Sequence, residues 1–176
     1  VAGNPIWSIK GPEFCWEYNV ATGQWHERQS YQSETWRGRC TVKAFGDWIC
    51  GEADSGRLFA IRESVHREGN DPLVWRVRSV QGHAFPQRIR VPRADFDFAA
   101  GVGTASGDDP IETAPRVAVS WSDDGGATWA TPLLRALGGE GESGQRVTVH
   151  RTGLPGPKGR QWELAVSDPV HVALLA

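Results

Sequence analysis

Ser120-Trp121-Ser122-Asp123-Asp124-Gly125-Gly126-Ala127-Thr128-Trp129 decides how the rest of the chain is read. Leading into it, Val117, Val119 and Trp121 alternate with Ala118, Ser120 and Ser122, the two-residue period of a half-buried strand. The strand then meets Asp124-Gly125-Gly126, where glycine supplies positive φ and an aspartate side chain bonds nearby backbone. Thr128 and Trp129 are read as restarting the strand, with the indole capping the corner by its apolar area. Ser122, Asp124, Gly126, Thr128 and Trp129 are thus predicted to fold one hairpin corner with the spacing Ser-x-Asp-x-Gly-x-Thr-Trp. Such a corner is a structural device, so these residues are assigned a structural role.

The composition around the hairpin points the same way. A chain of 176 residues makes one large domain or two small ones and buries roughly 70% of its unfolded surface. With 39% hydrophobic and 23% charged residues it is globular rather than disordered. Nine Trp, 21 Gly and 11 Pro indicate many short strands joined by tight turns. No apolar run reaches the ~18 residues of a membrane-spanning helix. Val1-Ala2-Gly3-Asn4-Pro5 lacks the charged flank and apolar core of a signal peptide. Methionine is absent throughout, and from this a trimmed C-terminal piece of a longer protein is expected. A net charge of −2 argues against a general DNA-binding protein. Three cysteines (Cys15, Cys40 and Cys50) share no metal-ligand spacing and are read as buried, reduced thiols of a protein assembled in the cytoplasm.

Taken in order, the chain is predicted to be all-β, with partial β-propeller blades over 1–65, a linker at 66–72 and a β-sandwich over 73–176. In the first part Ile6–Lys10 alternates and stops at Gly11-Pro12. Phe14–Asn19 and Gln24–Arg28 flank an Ala21-Thr22-Gly23 turn, placing Trp16 and Tyr18 on one face with Trp25 near them. Cys40–Phe45, Trp48–Glu52 and Arg57–Ile61 follow, the last two joined around Asp54-Ser55-Gly56. The two hairpins form a weak internal repeat, about one and a half blades, whereas a closed propeller needs at least ~4. Glu68-Gly69-Asn70-Asp71-Pro72 has the turn chemistry of a connector. Beyond it strands are expected at 72–80, with Arg76 and Arg78 opposite Trp75 and Val77, and at 88–98, where the alternation slips at Pro92. Residues 100–110 read as loop. Leu133–Leu137, Gln145–Arg151, Gln161–Val166 and Val170–Leu174 complete the sandwich, and no helix is expected.

Several constellations could carry chemistry. Asp95 and Asp97 share a strand face, where a glycosidase pair would stand ~5 to ~9.5 Å apart, but a solvated face fits them better. His26, His66, His83, His150 and His171 are scattered without metal spacing, so no metal is assigned. Gly101-Val102-Gly103 opens no helix, which removes a nucleotide site, and no cofactor is assigned. Asp108-Asp109 and Asp123-Asp124 suit turn capping better than calcium. Arg76, Arg78, Arg88 and Arg90 would form a basic ladder if their strands paired, though an acid-balanced exposed face is favoured. The Trp residues are read mainly as core, with sugar or base stacking as the functional alternative.

Ser122, Asp124, Gly126, Thr128 and Trp129 resemble the Asp-box of propellers and sandwiches, including sialidases. Sialidase catalysis also requires three clustered Arg and a Tyr–Glu pair, and only Tyr18 and Tyr31 are present. A longer ordered set is similar to a family of short-tailed bacteriophages. Arg116–Trp129, Gly144-Gln145-Arg146-Val147 and Ser167-Asp168-Pro169-Val170-His171-Val172-Ala173-Leu174 resemble the end of the packaged-DNA stabilisation protein, the tail hub or nozzle. Tyr18–Arg28 and the hairpin of Gly51-Glu52 with Ser55-Gly56-Arg57-Leu58 resemble the propeller region before it. The resemblance spans nearly the whole chain, although family members are several hundred residues long. It implies a structural virion protein of the tail, assembled in the host cytoplasm, with no catalytic residues and no enzyme activity. Its implied partners are itself as a homohexameric ring, the portal and adaptor, and the tail needle or spike. Packaged DNA would pass through the channel without sequence-specific contact, and no membrane is involved. The alternative is a carbohydrate-binding or sialidase-like β-propeller protein.

Overall fold

A computed structural model of the chain describes residues 5–99, 101–103, 110–142 and 144–175. The described residues are nearly all β. Contacts divide the chain into two compact units, Val1–Leu73 and Val74–Ala176.

The first unit holds two three-stranded antiparallel sheets and a small pair. Strands β1 (Ile6–Lys10), β2 (Cys15–Asn19) and β3 (Gln24–Glu27) lie in the order β1-β2-β3. Strands β4 (Gly38–Ala44), β5 (Asp47–Glu52) and β6 (Leu58–Ile61) form the second sheet in chain order. The β2–β3 turn closes because Asn19 Oδ1 accepts hydrogen bonds from the Ala21 and Thr22 amides at 2.9 and 3.3 Å. At the β4–β5 turn Phe45 and Gly46 both take positive φ, the backbone that follows strand twist in a two-residue hairpin. Residues 66–72, read as a linker, contain a third hairpin, β7 (Arg67–Glu68) and β8 (Asp71–Pro72). Arg37 holds it: its guanidinium meets Asp71 Oδ2 at 2.5 Å and Glu68 Oε2 at 3.2 Å, while Trp36 Nε1 donates to Glu68 Oε1 at 2.8 Å.

The core of this unit is small. Cys15, Trp36 and Cys50 are buried together, with Ile61 against them. Burial pushes the Cys15 and Cys50 thiols up from their ordinary range. Cys40 departs from the expectation of three buried thiols. It lies on the outer side of β4 and is exposed, because register pairs its neighbour Thr41, not Cys40, with buried Cys50. All three thiols are free.

The second unit is built on a four-stranded sheet. Its order is β12 (Leu133–Ala136), β11 (Arg116–Ser122), β14 (Gln161–Val166), β9 (Trp75–Arg78), all antiparallel. A two-stranded sheet pairs β10 (Arg93–Phe96) with β13 (Val147–His150). Alternation decides the core: Val117 and Val119 of β11, Leu164 and Val166 of β14, and Val147 and Val149 of β13 are buried in one cluster with Phe98 and Leu137. Trp75 and Val77 pack against it, and Arg76 and Arg78 point to the exposed side.

Three expectations are corrected here. The strand expected over 88–98 shrinks to Arg93–Phe96, because Pro92 lacks an N–H and the residues before it leave the sheet. Val170–Leu174 forms no strand beyond a single bridge between Phe98 and Leu174. A four-residue helix, α1 (Pro110–Thr113), starts where loop was expected, with Pro at the position a helix start tolerates. The remainder of that loop, including Asp108-Asp109, lies outside the described residues. Among the described residues no helix is long and apolar enough to cross a membrane.

Candidate functional site

The hairpin corner after β11 assembles around two side chains. Ser122 is buried at the end of the strand. Its Oγ donates to Asp124 Oδ1 at 2.7 Å and accepts from the Gly126 amide at 2.8 Å. Asp124 then spans the turn. Its Oδ1 accepts from the Thr128 amide at 2.9 Å, and its Oδ2 from Thr128 Oγ1 at 2.5 Å. These donors, Thr128 foremost, hold the Asp124 carboxyl well below the usual carboxylate range. Gly125 and Gly126 both take positive φ, which L side chains rarely adopt. The corner closes where the Ala130 amide donates to the Trp121 carbonyl at 2.9 Å. Ser122, Asp124, Gly126 and Thr128 are thus joined in one network. The strand does not restart at Thr128 but at Leu133, since Asp124 holds both the amide and the hydroxyl of Thr128. Trp129 is half-buried and has the Arg78 guanidinium 5.0 Å from its ring centroid.

Beside the corner a buried cation is fixed. Arg160, 4% exposed, binds Asp123 bidentately at 2.7 and 2.8 Å. Its guanidinium carbon also lies 5.4 and 5.5 Å from the ring centroids of Trp121 and Trp162, cross-strand neighbours themselves 5.7 Å apart. Asp123 therefore acts as a structural anchor for Arg160, while Asp124 makes the turn.

The other candidates separate. The basic ladder of Arg76, Arg78, Arg88 and Arg90 does not form, because β9 pairs with β14 and Arg88 and Arg90 lie on a loop. Arg78 instead meets Glu163 at 2.6 Å, directly across the strands, with Arg76 at 4.0 Å. Asp95 is occupied by Arg93 at 2.7 Å and by Thr148 Oγ1 at 2.6 Å across the β10–β13 pair. Both hold its carboxyl below the ordinary range, Arg93 more strongly. Among the described residues no three His, Cys, Asp or Glu side chains converge as metal ligands would.

The feature that pattern reading placed wrongly is the sheet β1-β2-β3. Register puts Trp7, Tyr18 and Trp25 in one row, with Ile9 and Trp16 in the next row on the same side. Tyr18 and Trp25 are 5.0 Å apart, as expected from their positions. That side is open rather than core: Trp7 is 65% exposed, Trp25 50% and Trp16 42%. Buried on the opposite side stands Glu17, 3% exposed, with His26 at 3.0 Å and Arg28 at 3.5 Å. Alternation alone cannot tell which face of a two-sided strand is covered. Glu17, between Trp16 and Tyr18, turns inward because its partners His26 and Arg28 come from β3 and the residues just after it.

Comparison with protein-family models and with curated proteins finds no match to this chain.

Proposed function

We propose that the chain belongs to a structural virion protein, a hub or nozzle ring below the portal of a short-tailed phage that helps retain packaged DNA and forms the ejection channel. In this reading the first unit supplies propeller blades, the second is a β-sandwich, and six copies form the ring. The observation that carries it is the pair of open apolar faces in the first unit. One sheet exposes Trp7, Trp16 and Trp25, and the other exposes Val42 and Leu58 on its outer side, where Cys40 also lies. Contiguous apolar faces of this kind mark interaction surfaces, and in a ring they would be covered between neighbouring blades. A stacked blade has such a face on each side. The ordered motifs around the Asp-box and at Ser167-Asp168-Pro169 support the same assignment. The fixed corner of Ser122 and Asp124 serves a scaffold, since every polar atom that it brings together is used within the turn.

Deleting the gene tests the reading. Heads should fill and then lose their DNA, and particles that stay filled without the protein would overturn it. The exposed Trp7–Tyr18–Trp25 row favours a second reading, a carbohydrate-binding protein that stacks sugar rings on indoles. A glycan array with no bound sugar removes that alternative.

A further inference from the structure

The second unit holds a cavity with apolar walls and an open cation at its edge. It has a volume of about 300 Å³, at the lower end of the range for small-molecule sites, and lies between the loop over 79–91 and the segment over 155–162. The walls are preformed. Gly82 and Arg160 exchange backbone hydrogen bonds at 2.8 and 2.9 Å, and the Ser79 amide donates to the Trp162 carbonyl at 2.9 Å. The far end is held by Thr152 Oγ1, which donates to the Val91 carbonyl at 2.9 Å. Gly159 is required here: it takes positive φ, and a Cβ would strike the Gly82 carbonyl oxygen that receives the Arg160 amide.

The lining has a clear polarity. Val80, Ile89, Pro155 and Trp162 give apolar walls, Arg88, His83, Gln87 and Ser79 give polar groups, and no carboxylate is in the lining. Arg160 is in the wall, but Asp123 already neutralises it. Arg88 differs. Its side chain makes one long hydrogen bond, from Nη2 to the Pro155 carbonyl at 3.4 Å, and no ion pair among the described residues. A guanidinium carries five N–H donors in a fork that matches carboxylate or phosphate oxygens. The open cation therefore stands at an apolar, pre-shaped hollow, with His83 as a second polar group.

We propose that this cavity binds a small organic oxyanion, a carboxylate or phosphate monoester carrying an apolar or planar body. The oxyanion pairs with Arg88 in a bidentate contact, and the body lies against Ile89 and Trp162. The inference is independent of the tail-hub reading, because it uses only the walls of the second unit.

Phenyl phosphate and benzoate are the probes, titrated into the ¹⁵N-labelled chain and followed by amide shifts, with phenol as the neutral control. Both anions should saturate at one site, shifting the amides of Gly82, Gln87 and Gly159, and whichever binds tighter names the oxyanion class. Phenol should bind at least tenfold more weakly. Arg88→Gln should weaken the anions tenfold or more, while Arg90→Gln, on the same loop but outside the lining, should leave them unchanged. Unchanged spectra outside the loop show that the variant is folded. Absence of saturation up to about 10 mM, a site of affinity far below biological use, would overturn the proposal. So would equal binding by Arg88→Gln or shifts centred elsewhere.

Discussion

Replacing Ser122 with alanine isolates the chemistry of the corner from its shape. The change deletes one hydroxyl from a side chain that is 1% exposed. The Gly126 amide loses its acceptor at 2.8 Å, and Asp124 Oδ1 loses a donor at 2.7 Å. Leaving a partly enclosed amide without an acceptor costs ~1–3 kcal/mol. We take about 2 kcal/mol for Ser122→Ala from the amide alone, because the Asp124 side of the network faces solvent. In a unit of this size each kcal/mol moves the melting temperature by roughly 4 °C, so a fall of about 8 °C is expected. Ser120→Ala is the control. Ser120 lies two residues earlier on the same strand and is also buried, at 3%, but its hydroxyl makes no hydrogen bond among the described residues. It should stay within about 0.5 kcal/mol of the parent. Calorimetry of both variants reads the difference. Equal losses in the two would refute the network as the source of the corner's stability.

Three further outcomes follow from the same geometry. Asp124 has a folded-state pKa depressed by its donors, so its stabilisation is complete above the ordinary carboxylate range and fades as pH falls below about 4. Asp124→Asn should therefore flatten the acid limb of a melting-temperature profile while changing little of its slope above pH 6; an unaltered acid limb would count against it. Arg160→Ala should cost about 2–3 kcal/mol, less than a fully buried pair because Asp123 is about a third exposed, by leaving Asp123 without its partner and uncovering Trp121 and Trp162; Arg160→Met should recover part of that, as chemical denaturation would show. Glu17→Ala should destabilise the first unit by roughly 2–3 kcal/mol, less than a fully buried pair because His26 and Arg28 are partly exposed. Retained urea resistance in that variant would show that the Glu17 cluster is dispensable.

The sequence made the β character legible, together with the core of the second unit, because the valines of β11 and β13 recur every second residue. Val117, Val119, Val147 and Val149 are buried as that alternation requires. The corner was legible for a different reason: its residue types each meet one backbone need at one position. Legibility failed where tertiary partners decide. For Arg76 and Arg78 the acid-balanced exposed face holds, with Glu163 as the acid, whereas the cavity that Arg88 faces depends on tertiary structure. The tryptophans of β2 and β3 carry the pattern of a core, yet Glu17 found enough partners to turn the other side inward. Trp129 caps the corner only in part: the strand resumes four residues after it, leaving the indole half-covered beneath Arg78. The cavity could not be seen in the sequence, since its walls come from segments some 70 residues apart.

The open aromatic face and the hub reading meet in one measurement. The protein carrying this chain is mixed with purified portal and adaptor, and native mass spectrometry with negative-stain imaging gives its copy number and symmetry. The hub reading requires six copies in a ring with a central hole. A chain that stays monomeric and unbound with portal and adaptor present would contradict it.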